Sequence, residues 1–257
     1  MADSDLEVGA VSLHDLTWPE IEARKDEVEC ILIPVGSTEQ HGPHLTVATD
    51  ATRAEKFCLR VGRELYPKIL VAPVISVGIS RHHMDFPGTI TLRPDTLVNT
   101  IFDYVNSLDE HGFDRFMIIN AHGGNHNALG IATEKIRDEL GLVVPYVNYK
   151  VMTSDVTAKH ISSGKIEHAG EWEVSDAMFL APELVREGAL AEGEEQGYPW
   201  KYTDLYGEFR VNYPLKWCDL TANGAMGDAR KASRTKGQKI NDAALNRIVQ
   251  FLTDFMV

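Results

Sequence analysis

Ile31-Leu-Ile-Pro-Val35-Gly-Ser-Thr-Glu39-Gln-His41-Gly-Pro-His44-Leu-Thr-Val-Ala-Thr-Asp50 carries a fold signal and a chemical one. The apolar run to Val35, beginning near Glu29, reads as a buried strand. Thr49 to Leu65 reads as a helix with Asp50 in its first turn. A strand running through a polar loop into a helix is the opening of an α/β unit. Within the loop, Glu39 and His41 are two residues apart, so in extended chain they point to the same side. With Asp50 close behind, they form a donor set for a divalent metal.

Outward from this stretch, strands and helices alternate. Further strands are read over Ile69 to Ile75, Arg115 to Asn120 and Leu142 to Asn148. Pro94 opens a helix that ends near Gly112, with Pro at its first position and Gly past its end. Asn125 to Leu140 is a helix closed by Gly141, and Glu171 to Leu180 is helical. Lys239 to Met256 is a C-terminal helix with Ile240, Ala244, Leu245, Ile248, Phe251 and Leu252 on its apolar face. The alternation predicts a single α/β domain over residues 1–257, a three-layer α/β/α stack with a mostly parallel central sheet. Ligands of such sheets bind outside the carboxyl ends of the strands. Glu39, His41, Ser80, His82, His83 and His122 all follow candidate strands. Residues 190–235 show no period and read as a lid, an oligomer contact or a surface loop.

Two more clusters carry chemistry: Asn120-Ala-His122-Gly-Gly-Asn125-His126, after Phe116-Met-Ile-Ile119, and Glu167-His168-Ala-Gly-Glu171-Trp-Glu173. A two-metal hydrolase needs a bridging ligand and about two further ligands per ion. Asp50 is the bridge candidate, and Glu39, His41 and His122 are the next ligands. Glu171 or Glu173 could supply the remaining carboxylate. The mixed N/O set suits Zn, Mn or Fe. Blander readings stand beside these. Asp50 alone is an ordinary helix-dipole charge. Asn125 is most simply an N-cap. His44, His111 and His160 read as surface residues, and Trp172 reads as core or interface before substrate contact. Gly123 and Gly124 make a turn, or offer backbone N–H groups to an anion.

The formal net charge of −13 argues against nucleic acid, which demands a basic footprint. No apolar run approaches the ~18 residues of a membrane span. Three cysteines, odd in number and far apart, imply no disulfide framework. Cys30 and Cys58 read as buried small hydrophobes. A cytoplasmic protein is expected, with 44% hydrophobic residues, ample for a sizeable core.

The chain resembles the creatininase (creatinine amidohydrolase) family. The resemblance is carried by Pro34-Val-Gly-Ser-Thr-Glu39-Gln-His41-Gly-Pro-His44 with Asp50, then by Gly78-Ile-Ser80-Arg-His-His83 with Phe86-Pro-Gly-Thr89-Ile. It continues through Asn120-Ala-His122-Gly-Gly-Asn125, His168-Ala-Gly-Glu171-Trp-Glu173 and Asn223-Gly-Ala-Met-Gly-Asp228, in family order. It implies two divalent ions per chain, Zn first and Mn or Fe next, and a homo-oligomer, often a hexamer. By that analogy Glu39, Asp50 and His122 hold one ion, and His41, Asp50 and a further carboxylate, Glu171 first, hold the other. Metal-activated water would cleave a C–N bond of a small, polar, cyclic amide or formamide. Glu173 or His168 would move the proton to the leaving nitrogen. Ser80, His83, Gly123, Gly124 and Trp172 are the candidate substrate contacts. Creatininase itself follows its metal-binding His with Tyr and a ligating Glu; Gly123 and Gly124 stand there in this chain, so creatinine is not the expected substrate. Two alternatives compete: hydrolytic ring opening of a cyclic diketone such as 3-dehydro-scyllo-inosose, and a non-catalytic metal-binding oligomer on a retained scaffold.

Overall fold

The computed structural model describes residues 10–163, 168–200, 203 and 211–257. Four strands, β1 (Cys30–Val35), β2 (Ile69–Val71), β3 (Phe116–Asn120) and β4 (Tyr146–Asn148), form one sheet in the order β2-β1-β3-β4. Every pairing is parallel, with Leu32 beside Val71 and Met117, and Val35 beside Asn120. The helices are α1 (Trp18–Arg24), α2 (Thr49–Glu64), α3 (Pro94–Asp109), α4 (His126–Leu140), α5 (Ser154–His160), α6 (Glu171–Leu180) and α7 (Arg234–Phe255).

Alternate residues of a strand face opposite ways, and the two faces of β1 feed two cores. Leu32 joins Phe57, Val61, Ile240, Ala244 and Ile248, under α2 and α7. Ile31, Ile33 and Val35 join Leu97, Ile101, Leu129 and Ile136, under α3 and α4. This is the expected three-layer α/β/α stack. From β1 the chain goes first to one neighbour, β2, and then to the other, β3. The carboxyl ends of β1 and β3 therefore flank the point where strand order reverses, where such sheets bind ligands.

Several boundaries move. β2 stops at Val71, two residues before Pro73, which has no N–H for a ladder. Ile75 keeps only a single bridge to Val35. β4 starts after Pro145, not at Leu142. α7 begins at Arg234, because Ser233 caps it by accepting from the Lys236 N–H at 3.3 Å. Phe251 is 38% exposed and lies off the apolar face. Gly141 closes α4 at φ 74°, the left-handed cap expected of it. Cys30 and Cys58 are buried, and burial pushes the Cys30 thiol up to about 12. No helix among the described residues is long and apolar enough to cross a membrane. Glu167 and residues 201, 202 and 204–210 of the aperiodic stretch lie outside the described residues.

Candidate metal centre

Seven side chains converge where β1 and β3 end: Glu39, His41, Asp50, His82, His122, His168 and Glu173. Glu39 and His41 come from the loop after β1, Asp50 from the first turn of α2, and His122 from the residues just past β3. Glu173 comes from the first turn of α6, and His168 lies just before that helix. Among the described residues, three overlapping groups have ligand atoms within 4.8 Å of one another. These are Glu39–His41–His168, Glu39–His82–His122 and His41–Asp50–Glu173.

Three of the imidazoles are oriented by their second nitrogen, as a metal-binding histidine is. His41 Nδ1 donates to its own loop at Glu39 O, 3.1 Å away, which aims Nε2 at Asp50 Oδ1 (3.2 Å) and Glu173 Oε2 (3.7 Å). His122 Nε2 donates to Ile79 O at 2.9 Å, leaving Nδ1 facing Glu39 Oε1 (3.3 Å) and Asp50 Oδ2 (3.2 Å). His168 Nε2 donates to Gln40 O at 2.9 Å, and its Nδ1 lies 3.8 Å from Glu39 Oε1 and 4.0 Å from Glu173 Oε2. Asp50 thus turns one oxygen to His41 and the other to His122. His41 Nε2 and Asp50 Oδ2 are buried yet make no hydrogen bond. Unspent buried donor atoms at the centre of a mixed N/O cluster fit a divalent cation.

The charges agree with that fit. Burial alone would raise the Asp50 carboxyl, but His41 and His122 beside it hold it well below the carboxylate range. Burial opposes a charged His41, yet Asp50, Glu173 and Glu39 outweigh it and lift the group to about 9. His122 is raised against burial in the same way, by Glu39 and Asp50. Glu173 is held down to about 2 by Arg53 and His41 despite its burial. Burial and the nearby His41 push His168 down to about 3. A cation bound here would compete with protons for His41 and His122.

Other expected residues are placed differently. Glu171 does not face the cluster. Its Oε2 accepts from the backbone N–H and hydroxyl of both Ser162 and Ser163 at 2.9–3.0 Å, and its Oε1 accepts from Lys236. Two residues apart on a helix means about 200° of rotation, so Glu171 and Glu173 cannot share one face; Glu173 is the carboxylate brought to His41. Glu171→Ala is expected to leave metal content unchanged and to cost about 2 kcal/mol for the donors it strands. Metal analysis beside a urea midpoint checks this, and loss of an ion would restore Glu171 as a ligand.

Ser80 is fully buried, and its hydroxyl is spent donating to Glu39 Oε2 while meeting Ser37 Oγ. It therefore holds Glu39 in place and has no hydroxyl proton to spare for substrate. Trp172 is 2% exposed and lies in the α2/α7 core beneath Arg53, not at the cluster. His83 does reach the cluster, 3.5 Å from Glu39 Oε1, with its Nδ1 accepting from the Gln40 amide at 2.8 Å. Gly123 is open, whereas a Cβ at Gly124 would stand 2.3 Å from Ile79 O and 2.4 Å from His122 Nε2. The second glycine thus makes room for the bond that orients His122.

Three residues escaped the sequence reading. His44 is fully buried, not at the surface, and donates to Ala169 O at 2.6 Å. Ala169 sits at φ 53°, a left-handed conformation costly for a residue with a Cβ. Its N–H is held by Glu173 Oε2 at 2.7 Å, so both peptide groups of this turn are clamped beside His168. Asn125 makes no capping bond. Its side chain accepts from Ile79 N–H and donates to Gly36 O and Asn120 Oδ1, tying three site loops together. Arg53 is buried between Glu173 and Asp176. Only its i,i+3 spacing from Asp50 hinted at this.

Comparison with known proteins places this geometry. The chain is 27% identical to a creatinine amidohydrolase of Pseudomonas putida, over 95% of this chain and 97% of that protein. It is 33% identical to a mycofactocin precursor peptide peptidase of Mycobacterium ulcerans, over 87% and 80%. It is 26% identical to a 3-dehydro-scyllo-inosose hydrolase of Thermotoga maritima, over 96% and 84%. A solved mutant creatininase of Zn–Zn type superposes with a TM-score of 0.81 at 27% identity, covering 96% of this chain and 99% of that one. The creatininase family profile, described as creatinine amidohydrolase, matches residues 14–252. With its α/β/α fold and a His/Glu/Asp cluster suited to divalent metal, the chain belongs to the creatininase family of hydrolases.

Proposed function

We propose that this protein hydrolyses a C–N bond of a small, polar, cyclic amide or formamide at a centre of two divalent ions. The split of the Asp50 carboxylate between His41 and His122 carries the reading, since one residue then serves two ions. Glu39, Asp50 and His122 would hold one ion, and His41, Asp50 and Glu173 the other, with Zn first and Mn or Fe next. Two such ions, when bound, polarise a carbonyl, lower the pKa of water and stabilise both the attacking and leaving atoms.

The chain's own residues supply the rest. The anchored Nε2 of His168 turns its Nδ1 to the cluster, placed to take a proton and return it to the leaving nitrogen. Glu173 keeps its other oxygen on Arg53, which holds its rotamer. The rings of His83, His168 and Trp217 pack at 4.6–4.9 Å, and they favour a planar substrate at this edge. Hydrolytic ring opening of a cyclic diketone is the second reading, supported by the similarity to an inosose hydrolase. The whole 1–257 chain acts as one domain in a cytoplasmic homo-oligomer, a hexamer by the family resemblance.

The test is metal analysis of protein purified without added metal, joined to a hydrolysis screen with and without chelator. The screen covers creatinine, formamidopyrimidines, hydantoins, lactams and inososes. About two ions per chain and chelator-sensitive release of amine or formate are expected. Turnover without either product selects ring opening. No metal and no turnover after Zn or Mn is restored overturns the enzyme reading.

A further inference from the structure

Arg53 is a buried cation beside the centre whose bond to Glu173 reaches beyond that one side chain. It stands three residues after Asp50 on α2 and is 1% exposed. Its guanidinium is held by carboxylates on three sides. Nε donates to Asp176 Oδ2 at 2.9 Å, Nη1 donates to Glu173 Oε1 at 2.6 Å, and Nη1 lies 3.8 Å from Asp50 Oδ1. The Trp172 ring lies 5.0 Å from its Cζ. Asp176 is braced in turn, accepting from the Tyr149 hydroxyl and from Asn241 Nδ2 at 3.0 Å. A guanidinium out of water is costly unless its partners are all in place. Here the partners run from a rigid anchor on α6 and α7 to two residues of the centre.

The geometry is one-sided. Glu173 splits its carboxylate, with Oε1 on Arg53 and Oε2 on the Ala169 N–H, 3.7 Å from His41 Nε2. On the other side, Glu39 is held by Ser80 and His122 by Ile79 O, neither bond involving Arg53, and the Asp50 oxygen near Arg53 is Oδ1, the one turned to His41, not Oδ2, which faces His122. We propose that Arg53, anchored by Asp176, is a positioning residue for one half of the centre. It fixes Glu173 toward His41, and so sets the affinity of the ion held by His41, Asp50 and Glu173 far more than that of the ion held by Glu39, Asp50 and His122. The inference rests on the two-ion reading above.

The experiment is titration of the metal-stripped full-length protein with Zn²⁺ against a competing chelator, which resolves two stepwise affinities. His41→Ala identifies which step belongs to its half. Arg53→Met is expected to weaken that step by about 10–100-fold, the usual loss when an outer partner of a ligand is removed, and to move the other step far less. Arg53→Lys keeps the charge but not the fork, and should recover part of the loss. Asp176→Asn, which disturbs only the anchor, should show a smaller loss at the same step. Should Arg53→Met not fold, these two variants carry the test. A purely structural Arg53 would shift both steps together or neither, and either result in variants that bind two ions overturns the proposal. Fewer than two ions on the wild-type protein would instead remove the two-ion reading itself.

Discussion

Asp50→Ala is expected to release both ions and to reduce hydrolysis to background, while His122→Ala weakens chiefly one ion. The reason is the position of Asp50 between the two halves, each oxygen 3.2 Å from a different imidazole. Without it, among the described residues His41 keeps only Glu173 and His122 keeps only Glu39 as carboxylate neighbours within 4 Å. Each half of the proposed pair then loses one of the three protein donors that metal centres of this kind use, and the carboxylate that joins the halves is gone. The loss in affinity should exceed the roughly 10–100-fold typical of an outer partner. Asp50→Asn keeps the volume but offers one oxygen, so it separates loss of the bridge from loss of packing; at most one ion per chain should remain. Metal analysis and chelator-competition titration of the three variants check this. Equal and full occupancy in Asp50→Ala and His122→Ala would show that Asp50 bridges nothing.

Asn125→Asp should be strongly destabilising although it keeps the side chain's size. Asn125 is fully buried. Its Oδ1 accepts from Ile79 N–H at 2.9 Å, and its Nδ2 donates to Gly36 O at 2.9 Å and Asn120 Oδ1 at 3.1 Å. An aspartate would turn a second oxygen toward two acceptors and place a charge with no cation in that position. The expected cost is about 3 kcal/mol or more. Its effect should spread to the site, because the three tethered segments carry Glu39 and His41, Ser80 and His83, and His122. Space allows no escape: a Cβ on Gly78 would already stand 2.4 Å from Asn125 Oδ1. Urea denaturation and metal content are the readouts. A variant within about 0.5 kcal/mol of wild type would mean that these loops hold their places without Asn125.

The layers and the place of the site were legible because they depend on local pattern. Ile31 to Val35 and Phe116 to Ile119 are short continuous apolar runs, as strands buried on both faces are, and the face of α7 is apolar at the helical period. Glu39, His41 and His122 follow apolar strands directly, so their position at the sheet's carboxyl edge came with the strand assignment. Distances between segments far apart in sequence came only with the tertiary structure. Glu171 and Glu173 are chemically alike and two residues apart in the sequence. Which of them meets His41 was decided by the rotation of α6 against α2, and by the serines and Lys236 that occupy Glu171. Asn125 stands where an N-cap belongs, yet its amide serves Gly36 and Ile79, residues 89 and 46 positions away. Arg53 has the spacing of a solvated helix charge but is buried, because Asp176 and Glu173 arrive over it from α6. The sequence by itself determined the elements, their faces and the chemical types at the strand ends. The tertiary structure alone decided which side chains spend their hydrogen bonds on one another and which donor atoms remain for an ion, since that depends on how separate elements are rotated and packed.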